Sequence, residues 1–180
     1  MGRPVEAVRS GTFQAAIDSP SGAAFLAVGD FNGDGNADLA GAAGRSGSYL
    51  SVLLGTGSGT FQAPVSYPAG FEPPSLAVGD LNGDGKADLA VAHLTGVSVL
   101  LGRGDGTFPA AGNVPAGTNP DAVAVGDFND DGAPDLAVAN AGSNDVSVLL
   151  GARSGTFQGG HLLSDWAAVH IGGGGGFQWR

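Results

Sequence analysis

Three short stretches of this 180-residue chain concentrate oxygen-bearing side chains at a fixed spacing, Asp-x-Asn-x-Asp-Gly-x-x-Asp. They are Asp30, Asn32, Asp34 and Asp38; Asp80, Asn82, Asp84 and Asp88; and Asp127, Asn129, Asp131 and Asp135. In a tightly coiled loop, positions 1, 3 and 5 converge on one point, and Gly35, Gly85 or Gly132 at position 6 permits the sharp turn. Position 7 then offers a backbone carbonyl, from Asn36, Lys86 or Ala133, and position 9 a further carboxylate. All these donors are hard oxygens, with no His or Cys among them, which favours Ca²⁺ over zinc or copper. Ca²⁺ also accepts an irregular cage, whereas Mg²⁺ demands a near-ideal octahedron. The expectation is three calcium sites, one per loop.

Asp-Gly and Asn-Gly pairs also form tight turns without any metal. Against that reading, three or four carboxylates within nine residues repel one another unless a cation lies between them. An EF-hand shares the first six positions but requires a bidentate Glu at position 12. Gly41, Val91 and Val138 stand there instead. Dockerin modules share the DLNGDGK look but need helices after the loop, and strands follow here. The third loop departs from the other two in Asp130, where they have Gly33 and Gly83, and in Pro134 before its last Asp. Neither change removes a ligand.

The loops recur because the whole chain is periodic. Asp30, Asp80 and Asp127 are 50 and 47 positions apart, and GTF recurs in step at 11–13, 59–61, 106–108 and 155–157. That period falls in the range of propeller blades. Within a unit, SLAVGD (75–80), DLAVAH (88–93) and VSVLLG (97–102) are short runs rich in Val and Leu, closed by Gly or Asp. Such runs predict strands buried on both faces, too short for helices. The fourth run, QAPVSYPA (62–69) or PAAGNVPA (109–116), carries Pro and suits a sheet edge. Four strands per unit, A to D, repeated radially, predict an all-β, partial β-propeller of three to four blades with the Asp-rich loops between strands A and B.

Composition narrows the functional classes. The 34 Gly and 10 Pro would signal disorder in an aperiodic chain, but 42% hydrophobic and 13% charged residues argue for a packed core. Seven basic residues against 17 acidic ones make nucleic acid an unsuitable partner. No stretch reaches the roughly 20 apolar residues of a membrane span, and the first residues lack the apolar core of a secretion signal. The absence of Cys excludes disulfides and thiolate metal sites. Ten of the 17 acids lie in the three loops, so three divalent cations would offset six of the ten net negative charges.

The loop GDFNGDGNADLA with SVLLGxGxGTF resembles the FG-GAP or VCBS repeat, the blade unit of the integrin α-subunit propeller and of many bacterial secreted proteins. The resemblance runs through about Gln158 and maps as a partial blade at 1–22, blades at 23–70, 71–117 and 118–163, and a degenerate Gly-rich tail at 164–180. It implies calcium that supports the blade without performing catalysis, an extracellular or cell-surface setting, and adhesion or ligand recognition as the work. An accessory propeller of a larger secreted carbohydrate-active enzyme, or a lectin, are the alternatives.

In a four-stranded meander the A–B and C–D turns share one face, and the B–C and D–A connections the other. The second face holds segments that differ between copies, which makes it the candidate recognition face for a protein or glycan, with Arg45, Tyr49, Phe71 and His93 as candidates. Arg103-Gly104-Asp105 spells an adhesion tripeptide, but Thr56-Gly57-Ser58 and Ala152-Arg153-Ser154 occupy the same turn elsewhere, so its flanks read as incidental. His93, His161 and His170 share no spacing, and no Gly-x-Ser-x-Gly elbow, Cys nucleophile or phosphate loop is present. The copied Asp clusters lack the separated, differently tuned pair of a glycosidase. The expectation is therefore a non-enzymatic module. Three calcium units with partial flanks fall short of a closed ring, so the expectation is either a fragment of a longer protein or self-association to complete a propeller, with poor stability alone as the alternative.

Overall fold

The computed structural model describes residues 24–42, 47–109, 112–159 and the backbone of 162–163. The expected partial blade at 1–22 and the tail at 164–180 lie outside the described residues, as do Arg45, His161 and His170. Every described element is a strand, and the strands form three antiparallel sheets. The first runs β1 (Phe25–Gly29), β2 (Asp38–Ala42), β3 (Tyr49–Leu53) and β4 (Val65–Pro68) in spatial order. The second repeats it with β5 (Ser75–Gly79), β6 (Asp88–His93), β7 (Gly96–Leu100) and β8 (Gly112–Val114). In the third, β9 (Pro120–Gly126), β10 (Asp135–Asn140) and β11 (Asp145–Gly151) are followed by an outer edge in two pieces. β12 (Phe157–Gln158) pairs with the end of β11, and β13 (Leu162–Leu163) with its beginning. The all-β meander of the sequence reading is thus realised three times, as propeller blades.

The registers coincide from blade to blade. Val28 faces Leu39, Val78 faces Leu89 and Val125 faces Leu136, so equivalent side chains fall on equivalent faces. The second strand of the middle blade shows why its sequence is apolar without alternation. Leu89 and Val91 point into one core, with Phe31, Ala40, Ala42, Leu50 and Phe108. Ala90 and Ala92 point into the other, with Leu81, Val123, Leu136, Val138 and Leu149. Each core lies between two blades, and both are buried because a strand period of two sends neighbours to opposite faces. Aromatic edges close the first core: Phe108 meets Phe31 and Tyr67 in T-shaped contacts, at ring-centroid distances of 5.7 and 5.5 Å.

The A–B loops and C–D turns gather on one side of the sheets. The C–D turn of the middle blade reaches the A–B loop of the first, where Gly106 N–H donates to the Phe31 carbonyl at 2.8 Å. On the other side, D–A connections lean on B–C turns: Leu94 N–H donates to the Phe71 carbonyl and Ala141 N–H to the Asn119 carbonyl.

Candidate metal centre

Each loop is wound by its own side chains. Asp30 accepts from the Gly33 and Gly35 N–H groups at 2.8 and 2.9 Å, Asn32 Oδ1 from Asp34 N–H at 3.0 Å, and Asp34 from Asn36 N–H at 2.7 Å. The second loop repeats this with Asp80 under Gly83 and Gly85, Asn82 under Asp84, and Asp84 under Lys86. In the third, Asp127 holds Asp131 and Gly132, Asn129 holds Asp131, and Asp131 holds Ala133. These turns fix the coil that brings positions 1, 3 and 5 to one side of the backbone. Gly33 and Gly83 at position 4 take φ of 74° and 76°, and Asp130 takes 60° in the same place. Asp is among the few side chains that tolerate this left-handed region, so its presence there follows from backbone shape.

Position 9 does different work. Asp38, Asp88 and Asp135 are completely buried. One oxygen of each accepts from the N–H of position 2, Phe31, Leu81 or Phe128, at 2.8 Å. The other accepts from Gly55, Gly102 or Gly151, at 2.7 to 2.8 Å, where strand C ends. A single carboxylate thereby ties the A–B loop to the C–D turn. The three glycines must be glycine for close approach: a Cβ on Gly55, Gly102 or Gly151 would collide with the carbonyl of Ala37, Ala87 or Pro134. The sequence shows these glycines only as the G of SVLLG, a turn marker, and their φ values are not left-handed. Their recurrence as the Gly that closes SVLLG, 14 to 17 residues after the last Asp of each loop, was the available signal for the latch.

The charges respond to this arrangement. Burial pushes the Asp88 carboxyl up, the Gly102 and Leu81 N–H groups oppose that, and the neighbouring charges of Asp84 and Asp80 add to it. The Asn36 N–H and the Asn32 amide hold Asp34 below the usual carboxylate range, and the Ala133 N–H and Asn129 amide do the same for Asp131. Asp84 is also lowered: its partial desolvation is outweighed by the Lys86 N–H, the Asn82 amide and the Lys86 charge. Lys86 Nζ lies 3.6 Å from Asp84 Oδ2. Arg153, on the following C–D turn, lowers Asp131 electrostatically. Position 5 of each loop, Asp34, Asp84 or Asp131, is thereby favoured in its ionised form in the same loop as a buried position-9 carboxylate. The donor set fits a hard cation, since it consists of carboxylate, amide and carbonyl oxygens alone. Among the described residues, no three His, Cys, Asp or Glu side chains stand together as a closed metal cluster.

Comparison with family models places the repeats. The model for the FG-GAP-like repeat matches residues 30–91 and 80–138, and that for the FG-GAP repeat matches 119–159. The chain belongs to the FG-GAP repeat family. Among solved structures, it is similar to a lectin of Agrocybe aegerita described as recognising non-reducing terminal N-acetylglucosamine, with a TM-score of 0.56 and 24% identity. That match covers 78% of this chain and 38% of the lectin. A chain of the Photorhabdus luminescens Tc holotoxin pore gives a TM-score of 0.47 and 21% identity, covering 79% of this chain and 7% of that one. The chain thus spans well under two thirds of either neighbour, and the likeness to the lectin is one of fold. No match was found among curated proteins.

The other sequence candidates of this FG-GAP chain fall into place around the loops. Tyr49 and Phe71, 43% and 56% exposed, lie on the variable side opposite the loops. His93 differs from expectation: it is only 4% exposed and is not presented to a partner. Its Nε2–H donates to Asn113 Oδ1 at 3.0 Å, while Nδ1 faces the Thr95 N–H and hydroxyl at 3.4 and 3.3 Å. Both ring nitrogens are thus occupied in the neutral form, and burial holds the imidazole below its ordinary 6.5. Asp105 of the Arg103-Gly104-Asp105 run accepts from Thr107 N–H at 2.9 Å and from its hydroxyl at 2.5 Å. Ser58 and Ser154 bond Thr60 and Thr156 in the same turn, so Asp105 closes a C–D turn, as the incidental reading requires.

Proposed function

We propose that the chain is a calcium-stabilised, extracellular recognition module in which the FG-GAP loops carry the ion and the opposite side meets a protein or glycan ligand. The observation that carries the metal part is the threefold repetition of one oxygen-only loop around a buried carboxylate. Asp88 is driven up by burial and by two neighbouring negative charges. A divalent cation supplies the missing positive charge for such a cluster. Positions 1, 3 and 5, Asp30, Asn32 and Asp34 with their counterparts, would hold it, joined by the carbonyls of Asn36, Lys86 and Ala133 and by the position-9 carboxylates, Asp38, Asp88 and Asp135. The same carboxylates keep their N–H partners, because a carboxylate oxygen has a second lone pair. The ion's work is structural, fixing loops on which the neighbouring C–D turns rest, and the module is non-catalytic.

The recognition part rests on the variable side. Tyr49 and Phe71 offer large exposed rings, the residue type that carries much of the energy of binding surfaces. The Agrocybe lectin shares this fold and is described as binding terminal N-acetylglucosamine. A glycan ligand is therefore the first class to test. Binding to a glycan array, with Tyr49→Ala and Phe71→Ala variants alongside, checks it. Retained glycan binding in both variants removes these rings from the recognition surface. Absence of any glycan signal from the calcium-loaded protein returns the reading to protein adhesion. An accessory role within a larger carbohydrate-active enzyme is the second reading, and a catalytic domain encoded beside these blades decides for it.

A further inference from the structure

Position 3 of the A–B loop carries a chemistry that neither the turn nor the oxygen donor set uses. In 180 residues Asn stands before Gly at two places, Asn32-Gly33 and Asn82-Gly83, and both are positions 3 and 4 of a loop. In the third loop the same pair reads Asn129-Asp130. Asn is a thermally labile residue. The backbone nitrogen of the next residue can attack its side-chain carbonyl carbon, and a glycine there allows the close approach.

The folded loop surrounds these two atoms with the groups such an attack needs. Gly33 N–H donates to Asp30 Oδ1 and Gly83 N–H to Asp80 Oδ1, each at 2.8 Å. A carboxylate within hydrogen-bond reach of the proton to be removed can serve as its base. Asn32 Oδ1 accepts from Asp34 N–H at 3.0 Å, and Asn82 Oδ1 from Asp84 N–H at 2.9 Å. These donors face the oxygen on which negative charge develops as the nitrogen adds. Asn32 Nδ2, the nitrogen that would depart, donates to Asp34 Oδ2 at 3.0 Å. Water has access, because Gly33 and Gly83 are exposed and a Cβ on Gly83 would meet nothing within 4 Å. The third loop keeps the donor on Asn129 Oδ1, at 3.1 Å, but not the base. Its Asp127 Oδ1 takes Asp131 N–H at 3.2 Å, and among the described residues no bond joins it to Asp130 N–H. Asp130 also places a side chain beside the nitrogen.

We propose that Asn32 and Asn82 are self-modification sites, at which the folded loop promotes deamidation with Asp30 and Asp80 as the bases, while Asn129 is spared. In the first loop, Gly33 N bonds to Asn32 Cγ as Asp30 takes its proton. The bond from Cγ to Nδ2 breaks, and the proton passes to that nitrogen, which leaves as ammonia. The cyclic imide left behind takes up one water and opens at either of its two carbonyls, to aspartate or to isoaspartate. Nothing is oxidised or reduced, and water is the one added reactant. Aspartate adds a negative charge to a loop that already holds Asp30, Asp34 and Asp38. Isoaspartate puts an extra carbon into the backbone between positions 3 and 4, where the coil depends on the left-handed glycine, and so unwinds the loop. On the calcium reading above, either product alters a donor to the ion, but the step itself needs no ion and stands apart from that reading.

Peptide mass spectrometry on the full chain tests this, after incubation at neutral pH in chelator and below the unfolding temperature. The mass gain that marks replacement of NH₂ by OH is expected at Asn32 and Asn82 and not at Asn129. Both sites should convert faster in the folded chain than in the same chain unfolded in urea, a comparison that needs no variant. Asp30→Asn should lower the Asn32 rate about tenfold or more, at or below the usual contribution of a positioned base. Asn82 in the same molecule keeps its rate and serves as the internal reference, and circular dichroism checks that the variant folds. Asn32 and Asn82 left intact in the folded chain overturn the proposal, as does conversion that is as fast or faster in urea. An unchanged Asn32 rate in the Asp30→Asn variant removes Asp30 from the step. Conversion of Asn129 at the rate of the other two overturns the dependence on the glycine and the base.

Discussion

The position-9 aspartates carry the densest set of obligations in the chain. Asp88, fully buried, receives two backbone N–H groups, so Asp88→Asn puts an amide NH₂ where one of them needs an acceptor. A buried N–H left unpaired costs about 1–3 kcal/mol. Chemical denaturation of D88N should show a loss of that size, and Gly102→Ala should lose stability too, because its Cβ meets the Ala87 carbonyl. Equal stability in both variants would remove the latch. Position 4 gives a graded version of the same reasoning. Gly83→Ala forces a side chain into the left-handed region at a cost of about 1–2 kcal/mol, while Gly83→Asp costs less, as Asp130 already shows at φ 60°. His93 sets a pH dependence. Its folded pKa lies below the ordinary 6.5, so the unfolded chain binds the proton first. Its contribution is intact above about pH 6.5 and is lost as the pH falls through that value toward the folded pKa. Thermal melts between pH 7.5 and 5 should show this slope, and His93→Asn, the residue found at the equivalent Asn140, should flatten it. At this scale the sequence displayed the loop residues fully but hid the latch. A repeated Asp reads as a ligand, and nothing in its type reveals two backbone donors brought to it from 7 and 14 residues away.

At the scale of elements, strands that crowd together on both faces explain the composition. The Ala-rich second strands fit because Ala40 and Ala42, and again Ala90 and Ala92, lie against Leu and Val side chains of the next blade. Leu89→Ala, fully buried between two blades, should cost about 2–5 kcal/mol. Leu94→Ala, 43% exposed in a B–C turn, should change stability by less than about 0.5 kcal/mol. Denaturant midpoints for the pair measure the difference, and comparable losses would contradict the two-core description. The strands themselves were legible: DLAVAH at 88–93 is β6 to the residue, and the Pro-bearing runs are the sheet edges. The outer edge of the third blade was less legible. Its two short pieces pair with opposite ends of β11, and a strand held by two residue pairs at a time leaves little hydrophobic pattern to read.

For the whole molecule, loops, latches and cores form one chain of support. The loop orders positions 1 to 7, the buried carboxylate passes that order to the C–D turn of its own blade, and Gly106 passes it to the neighbouring loop through the Phe31 carbonyl. Filling one loop should therefore stiffen the blade beside it. The threefold repeat made this legible from the sequence as far as the blade. How blades engage depends on which side chains share a face, and that became readable only once the registers were known. The central claim is that the FG-GAP loops hold calcium and that the ion supports the fold. Thermal unfolding of one preparation, first with excess calcium and then with excess chelator, tests it most directly. An ion bound only by the folded chain at one hundred times its dissociation constant adds about 2.7 kcal/mol per site. The account predicts a midpoint several degrees higher in calcium, reversed by chelator and reduced by a combined Asp30→Ala, Asp80→Ala and Asp127→Ala change. A midpoint that is the same in calcium and in chelator would contradict it.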